Sequence, residues 1–129
     1  MKAIPKKDKQ QCSIAVFEAA IKDICKKANQ TMKEITVLDF TGFQIGQLNH
    51  EIKICLEKCT KVESLTLAEC QLTSLECLPL LSNLLELDVS SNALEDSTVK
   101  IIPKLYPKLK RLNIADNKIR KIETLKMLA

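Results

Sequence analysis

The chain has 129 residues, 46% of them hydrophobic and 28% charged, which is long enough for one domain with a real core and too apolar for a disordered segment. Its formal charge of +4 conceals a division: residues 1–33 hold 8 Lys/Arg against 3 Asp/Glu, residues 34–99 hold 3 against 11, and residues 100–129 hold 9 against 2. An acidic middle between basic ends excludes a uniform nucleic-acid surface, and no apolar run is long enough to span a membrane.

The N-terminal stretch Met1–Lys9 is basic and polar with no apolar segment behind it, so it does not read as a secretory signal. The expectation is a chain in a reducing compartment, cytoplasmic or nuclear, with residues 1–8 as a flexible tail and residues 9–129 as a single domain. From about Asp8 to Ala28 the apolar residues Ile14, Phe17, Ile21, Ile24, Cys25 and Ala28 recur at helical steps, with Asp8 or Ser13 available as N-cap. Lys22, Lys26 and Lys27 fall toward the other side. A basic amphipathic helix also suits membranes or calmodulin-like grooves, but a helix over 9–29 is expected here as a helical cap on the stack of repeats that follows.

One pattern then recurs: an aliphatic, two residues, Leu, one residue, an aliphatic, two residues, Asn or Cys, one residue, Leu or Ile. It appears as Val62-Leu65-Leu67-Cys70-Leu72, Leu84-Leu87-Val89-Asn92-Leu94 and Leu109-Leu112-Ile114-Asn117-Ile119. Ile35-Leu38-Phe40-Phe43-Ile45 fits as well, with Phe43 where Asn or Cys should stand. Equivalent leucines at 38, 65, 87 and 112 are 27, 22 and 25 residues apart, which is leucine-rich-repeat spacing. Each repeat should open with a short strand whose aliphatics point inward, and the strands should stack in parallel. The predicted fold is an α/β leucine-rich repeat solenoid, right-handed, with parallel strands on its concave face and four repeats from about 35 to 129.

Cys70, Asn92 and Asn117 should form a structural ladder. An amide in the bend after a strand both donates to and accepts from neighbouring backbone, whereas a thiol does so only weakly. Between the strands, Gln47–Cys59 reads as a full helix with Leu48, Ile52, Cys55, Leu56 and Cys59 inward. The stretch Thr73–Asn83 holds Pro79 and reads as a turn or one tight helical turn. In Asp96–Lys108, with Val99, Ile102 and Leu105 inward, Pro103 and Pro107 predict a short helix ending at about Ile102. Arg120–Ala129, with Ile122, Leu125 and Leu128 at three-residue steps, would be a minimal lid. Such a short end suggests either that the chain is the first part of a longer one or that the open end associates with a partner, a second copy included.

The outward residues of the strands fall into columns: Val37, Ser64, Glu86 and Arg111; Asp39, Thr66, Asp88 and Asn113; Thr41, Ala68, Ser90 and Ala115; then Gly42, Glu69, Ser91 and Asp116. Small and acidic side chains, with Arg111 the one base, suit a basic or polar protein surface. The expected partner-binding set is Asp39, Thr66, Glu69, Glu86, Asp88, Arg111, Asn113 and Asp116. Catalysis is not expected. His50 has no nucleophile in view, the Asp39–Asp88 separation of roughly 10 Å is too wide for a retaining carboxylate pair, and no glycine-rich phosphate loop is present. The six cysteines lack the C-x-x-C pairs and histidines of a zinc site, so they read as small buried residues, with no metal or cofactor expected.

The stretch from about Ile35 to Leu128 resembles the acidic leucine-rich nuclear phosphoprotein family. The resemblance rests on Leu72-Thr73-Ser74-Leu75 with Leu78-Pro79, on Leu87-Asp88-Val89-Ser90-Ser91-Asn92, on Tyr106-Pro107-Lys108-Leu109, and on Leu112-Asn113-Ile114-Ala115-Asp116-Asn117-Lys118-Ile119. It implies the same right-handed solenoid and non-enzymatic binding, either chaperoning of histones or chromatin factors or inhibition of a serine/threonine phosphatase. The family's long acidic tail and C-terminal cap have no counterpart in these 129 residues. Through Asn117-Lys118-Ile119-Arg120-Lys121-Ile122 the chain is also similar to the A-prime subunit of a spliceosomal ribonucleoprotein. That similarity implies the alternative: a ribonucleoprotein-type subunit touching nucleic acid through Lys108, Lys110, Arg111, Lys118, Arg120 and Lys121. With aromatics at 3%, stacking on single-stranded bases is disfavoured.

Overall fold

The structure, a computed structural model, describes residues 12–120. The expected tail over 1–8, Asp8 as a cap, Lys121, and the lid residues Ile122, Leu125 and Leu128 lie outside them.

Helix α1 spans Ile14–Ala28. Ser13 starts it, its hydroxyl accepting the Val16 N–H at 3.2 Å. Asn29 ends it in the left-handed conformation at φ 55°, with the Gln30 N–H returning to the Cys25 carbonyl at 2.9 Å. Lys26 and Lys27 in the last turn oppose the partial negative charge of the helix end. Of the predicted apolar stripe, Phe17, Ile21 and Cys25 are buried, Ile14 and Ile24 only half-buried, and Ala28 exposed. The apolar stripe is thus narrower than the periodicity implies. Glu34 then reaches back to accept the Thr31 N–H at 2.9 Å, which holds its carboxyl below the ordinary range and fixes the turn into the first strand.

The strands β1 (Val37–Asp39), β2 (Ser64–Thr66), β3 (Glu86–Asp88) and β4 (Arg111–Asn113) form one parallel sheet in that order. The register aligns Leu38, Leu65, Leu87 and Leu112. The first three are at most 2% exposed and Leu112 is half-buried. Behind them Phe40, Leu67 and Val89 form a second buried row, and Ile45, Leu72 and Leu94 a third; Ile114 and Ile119, their counterparts after β4, are half-buried. Each fully buried aliphatic of this kind contributes roughly 1.5–3 kcal/mol.

The ladder of backbone bonds runs on past the named strands. Gly42 N–H donates to the Ala68 carbonyl at 2.9 Å, Glu69 to Ser90 at 3.1 Å and Ser91 to Ala115 at 2.9 Å. At this place each repeat turns through a left-handed residue: Gly42, Glu69, Ser91 or Asp116, with φ from 55° to 78°. The bend then closes on the ladder side chains. Asn92 accepts from the Cys70 and Leu72 N–H groups, both at 3.0 Å, and donates to the Leu67, Val89 and Ser90 carbonyls. Asn117 accepts from Leu94 at 3.0 Å and donates to the Val89, Ile114 and Ala115 carbonyls. The Cys70 thiol donates to the Phe40 and Ala68 carbonyls at 3.2 and 3.4 Å. A thiol suffices there because the N–H groups of Phe43 and Ile45 in the preceding bend are already bonded to the Phe40 and Phe43 carbonyls. Phe43, in place of a polar bend residue, instead joins Phe17 and Phe40 in an aromatic cluster with centroids 4.9 and 6.1 Å apart.

The return segments differ. Helix α2 (His50–Glu57) is started by Asn49, whose Oδ1 accepts the Ile52 N–H at 2.9 Å, and it packs against α1. All five residues expected inward here are buried. Residues 73–83 form turns rather than a helix, with Leu75, Leu78 and Leu81 buried at three-residue steps. They are tied to neighbours by Leu80 N–H to Glu57 Oε2 at 2.7 Å and by Tyr106 O–H to the Pro79 carbonyl at 2.5 Å. The expected helix ending at Ile102 is corrected: α3 (Asp96–Val99) is one turn, and a second, α4 (Ile102–Leu105), begins there. Pro103 stands in the first turn of α4, where its missing N–H would have no partner in the helix, so it starts that turn instead of stopping the previous one.

Candidate functional site

The register assembles the outward columns as the spacing implies: Val37, Ser64, Glu86 and Arg111 lie side by side, as do Asp39, Thr66, Asp88 and Asn113. Three-residue strands place only these two positions outward, so the strand face is narrow and polar. Across β2–β4 it holds a shallow hollow of about 280 Å³ whose polar lining is Ser64, Thr66, Glu86, Asp88, Arg111 and Asn113.

The charges are not all free. Arg111 Nη1 meets Glu86 Oε2 at 2.7 Å, although Arg111 is 81% exposed, so the pair contributes at most about 1 kcal/mol and is open to exchange with a partner's charges. Asp39, Asp88 and Asn113 each turn Oδ1 back to accept the N–H two residues on, from Thr41, Ser90 and Ala115, at 2.9, 2.9 and 3.0 Å. These Asx turns carry the chain out of β1, β3 and β4. Thr41 Oγ1 adds a second bond to Asp39 at 2.6 Å, and Asn113 Nδ2 reaches Asp88 Oδ2 at 3.4 Å. This column therefore has a structural duty that its chemistry alone does not announce.

Glu69 and Asp116 belong to another row, that of the left-handed residues, one step beyond the strands. Both are exposed; Ser91 donates to Asp116 Oδ2 at 3.4 Å. Thus six of the eight expected partner-binding residues sit on the strand face, and Glu69 and Asp116 extend it along one edge. Lys108, Lys110, Lys118 and Arg120 are also exposed, flanking Arg111 in sequence.

The six cysteines are free thiols. Cys59 lies near Cys25 and Cys55, and burial pushes its thiol up to about 11; burial pushes Cys70 up to about 12. Such thiols stay protonated at neutral pH and are poor nucleophiles and metal ligands. Among the described residues no three His, Cys, Asp or Glu side chains are grouped to hold a metal ion. His50 is the exposed first residue of α2. No described helix is long and apolar enough to cross a membrane.

Tyr106 is a core residue that periodicity does not reveal, and its only sequence signal is its place before Pro107. A second feature missed is the apolar groove where α1 meets the turn after β1.

A family model described as Leucine Rich repeat matches residues 81–100. The chain is similar to acidic leucine-rich nuclear phosphoprotein 32-related protein 2 of Caenorhabditis elegans, with 37% identity over 102 residues, covering 77% of this chain and 42% of that protein. It is similar to acidic leucine-rich nuclear phosphoprotein 32 family member A of Drosophila pseudoobscura pseudoobscura, with 39% identity over 103 residues, covering 80% and 35%. The Drosophila melanogaster protein of the same name is 39% identical over 72 residues, 56% of this chain and 27% of that one. The chain therefore spans less than half the length of these relatives. With four parallel strands in register, bends closed by asparagine and these matches, the chain belongs to the leucine-rich repeat proteins, in the group that resembles the acidic leucine-rich nuclear phosphoproteins.

Proposed function

We propose that this chain is a non-enzymatic protein-interaction module whose strand face holds a basic or polar surface of another protein. In this reading the four repeats form one domain, a right-handed solenoid with α1 as its N-terminal cap and the sheet on its concave side. The partner lies across Asp39, Thr66, Glu86, Asp88, Arg111 and Asn113, with Glu69 and Asp116 along the edge. The observation that carries the proposal is the solvent-open hollow over β2–β4, where carboxylates outnumber the single base. The names of the relatives place them in the nucleus; an adaptor for chromatin or phosphatase regulation, working in nucleus or cytoplasm, fits that setting.

The test is capture of partners from extract by wild type and by a Glu86→Lys, Asp88→Asn variant. Asparagine keeps the Asx turn while removing charge. Loss of the same captured proteins from the variant, with the fold intact by circular dichroism, supports the proposal; an unchanged set refutes it.

The second reading is a nucleic-acid contact by the exposed Lys108, Lys110, Arg111, Lys118 and Arg120, which have Asp116 as the one acid among them. Phosphate contacts of this kind weaken steeply with salt. Filter binding that shows no affinity for RNA at low salt removes it.

A further inference from the structure

An apolar groove of about 610 Å³ separates α1 from the turn after β1. Val16, Ala20 and Ile24 line it as a second stripe on α1, beside the buried stripe of Phe17, Ile21 and Cys25. Gly42 and Phe43 line it from the turn. Val16 is 53% exposed, unlike the polar residues that normally occupy a solvated helix face. A Cβ on Gly42 would meet nothing within 4 Å, so the mouth is open at this point. The later repeats carry Glu69, Ser91 and Asp116 at the same left-handed position and Cys70, Asn92 and Asn117 at the next. The first repeat alone has a bare glycine followed by an aromatic ring, and both line the groove where α1 meets this turn.

Its rim carries two acids and one base: Asp23 and Lys27 on the α1 side are paired with each other at 3.0 Å, and Asp39, where the groove meets the strand face, leaves the rim with a net negative charge. We infer that the groove seats an aliphatic side chain from a basic peptide segment of a partner protein. The apolar lining takes the side chain, while Asp39, the acid on the rim that is not matched by the Asp23–Lys27 pair, favours a flanking lysine or arginine and opposes an acidic segment. The inference rests in part on the strand-face reading, because Asp39 belongs to both surfaces and one segment would run from the groove onto the sheet.

The experiment is amide-shift mapping by NMR on the 15N-labelled full chain, titrated with acetyl-Lys-Lys-Leu-Leu-Lys-Lys-amide and with its glutamate counterpart. The lysine peptide is expected to shift Val16, Ala20, Ile24 and Gly42 saturably, and the glutamate peptide to bind at least about tenfold more weakly. Val16→Lys, at an exposed helix position, should weaken the lysine peptide at least about tenfold without loss of helicity; Ala19→Lys is the second variant at this wall. Absent groove shifts, equal binding of the two peptides, or unchanged binding by both variants overturns the inference. Concentration-dependent shifts at these amides without peptide would assign the groove to a second copy and also overturn it. Loss of peptide binding in the Glu86→Lys, Asp88→Asn variant but not in Val16→Lys would sink the groove and leave the strand-face reading standing.

Discussion

Asn92→Ala is the sharpest probe of how the repeats are joined. The amide makes five bonds: it accepts from Cys70 and Leu72 and donates to Leu67, Val89 and Ser90. Cys70 and Leu72 are fully buried, so their orphaned N–H groups would each cost about 1–3 kcal/mol. Asn92 itself is half-buried and admits some water, which brings the total to about 2–4 kcal/mol. With a urea slope of roughly 1.5 kcal/mol/M, the unfolding midpoint should fall by about 1.3–2.7 M. Asn117→Ala provides the internal comparison. Among the described residues its side chain accepts one N–H, that of Leu94, so about half the loss is expected. A midpoint for Asn92→Ala within error of wild type, or a larger drop for Asn117→Ala, would refute this account of the bends.

Leu87→Ala empties a 2%-exposed core position and should cost about 2–5 kcal/mol, whereas Leu112→Ala, at a half-buried one, should cost clearly less; equal urea midpoints would contradict the burial gradient along the sheet. In the folded protein at pH 8, iodoacetamide mapped by mass spectrometry should label half-buried Cys77 well before Cys59, whose thiolate fraction at that pH is only about a thousandth. Cys70 should resist longer still, and labelling as fast as Cys77 would count against its buried position. Because the Thr31 N–H holds the Glu34 carboxyl below its ordinary value of 4.5, its stabilisation is complete above that pH and lost as pH falls through the lowered value. The difference in thermal midpoint between wild type and Glu34→Gln should therefore shrink from pH 7 to pH 3, and a constant difference would dismiss the linkage.

The strands and their register are legible in the chain because a side chain's direction repeats every two residues, and the repeat spacing then aligns one leucine row. That is why Val37, Ser64, Glu86 and Arg111, and Asp39, Thr66, Asp88 and Asn113, meet as columns. The asparagine bends follow from the same pattern. What the pattern does not carry is which way a polar side chain turns. Asp39, Asp88 and Asn113 bond their own backbone, and an Asp or Asn two residues before a chain reversal was the available signal. The α3–α4 break also escaped, because Pro103 starts a helical turn as readily as it ends one. The groove depends on how α1 docks onto the first repeat, which is a tertiary relation. Only Gly42 and Phe43, out of step with the other repeats, pointed to it.

Hydrogen exchange on the protein with and without a captured partner addresses the central proposal most directly. Slowed exchange in peptides covering 37–41, 64–69, 86–91 and 111–116, with α2 to α4 unchanged, is the predicted footprint. Protection confined to the return segments 50–57 and 96–105, with the strands exchanging as before, would contradict it.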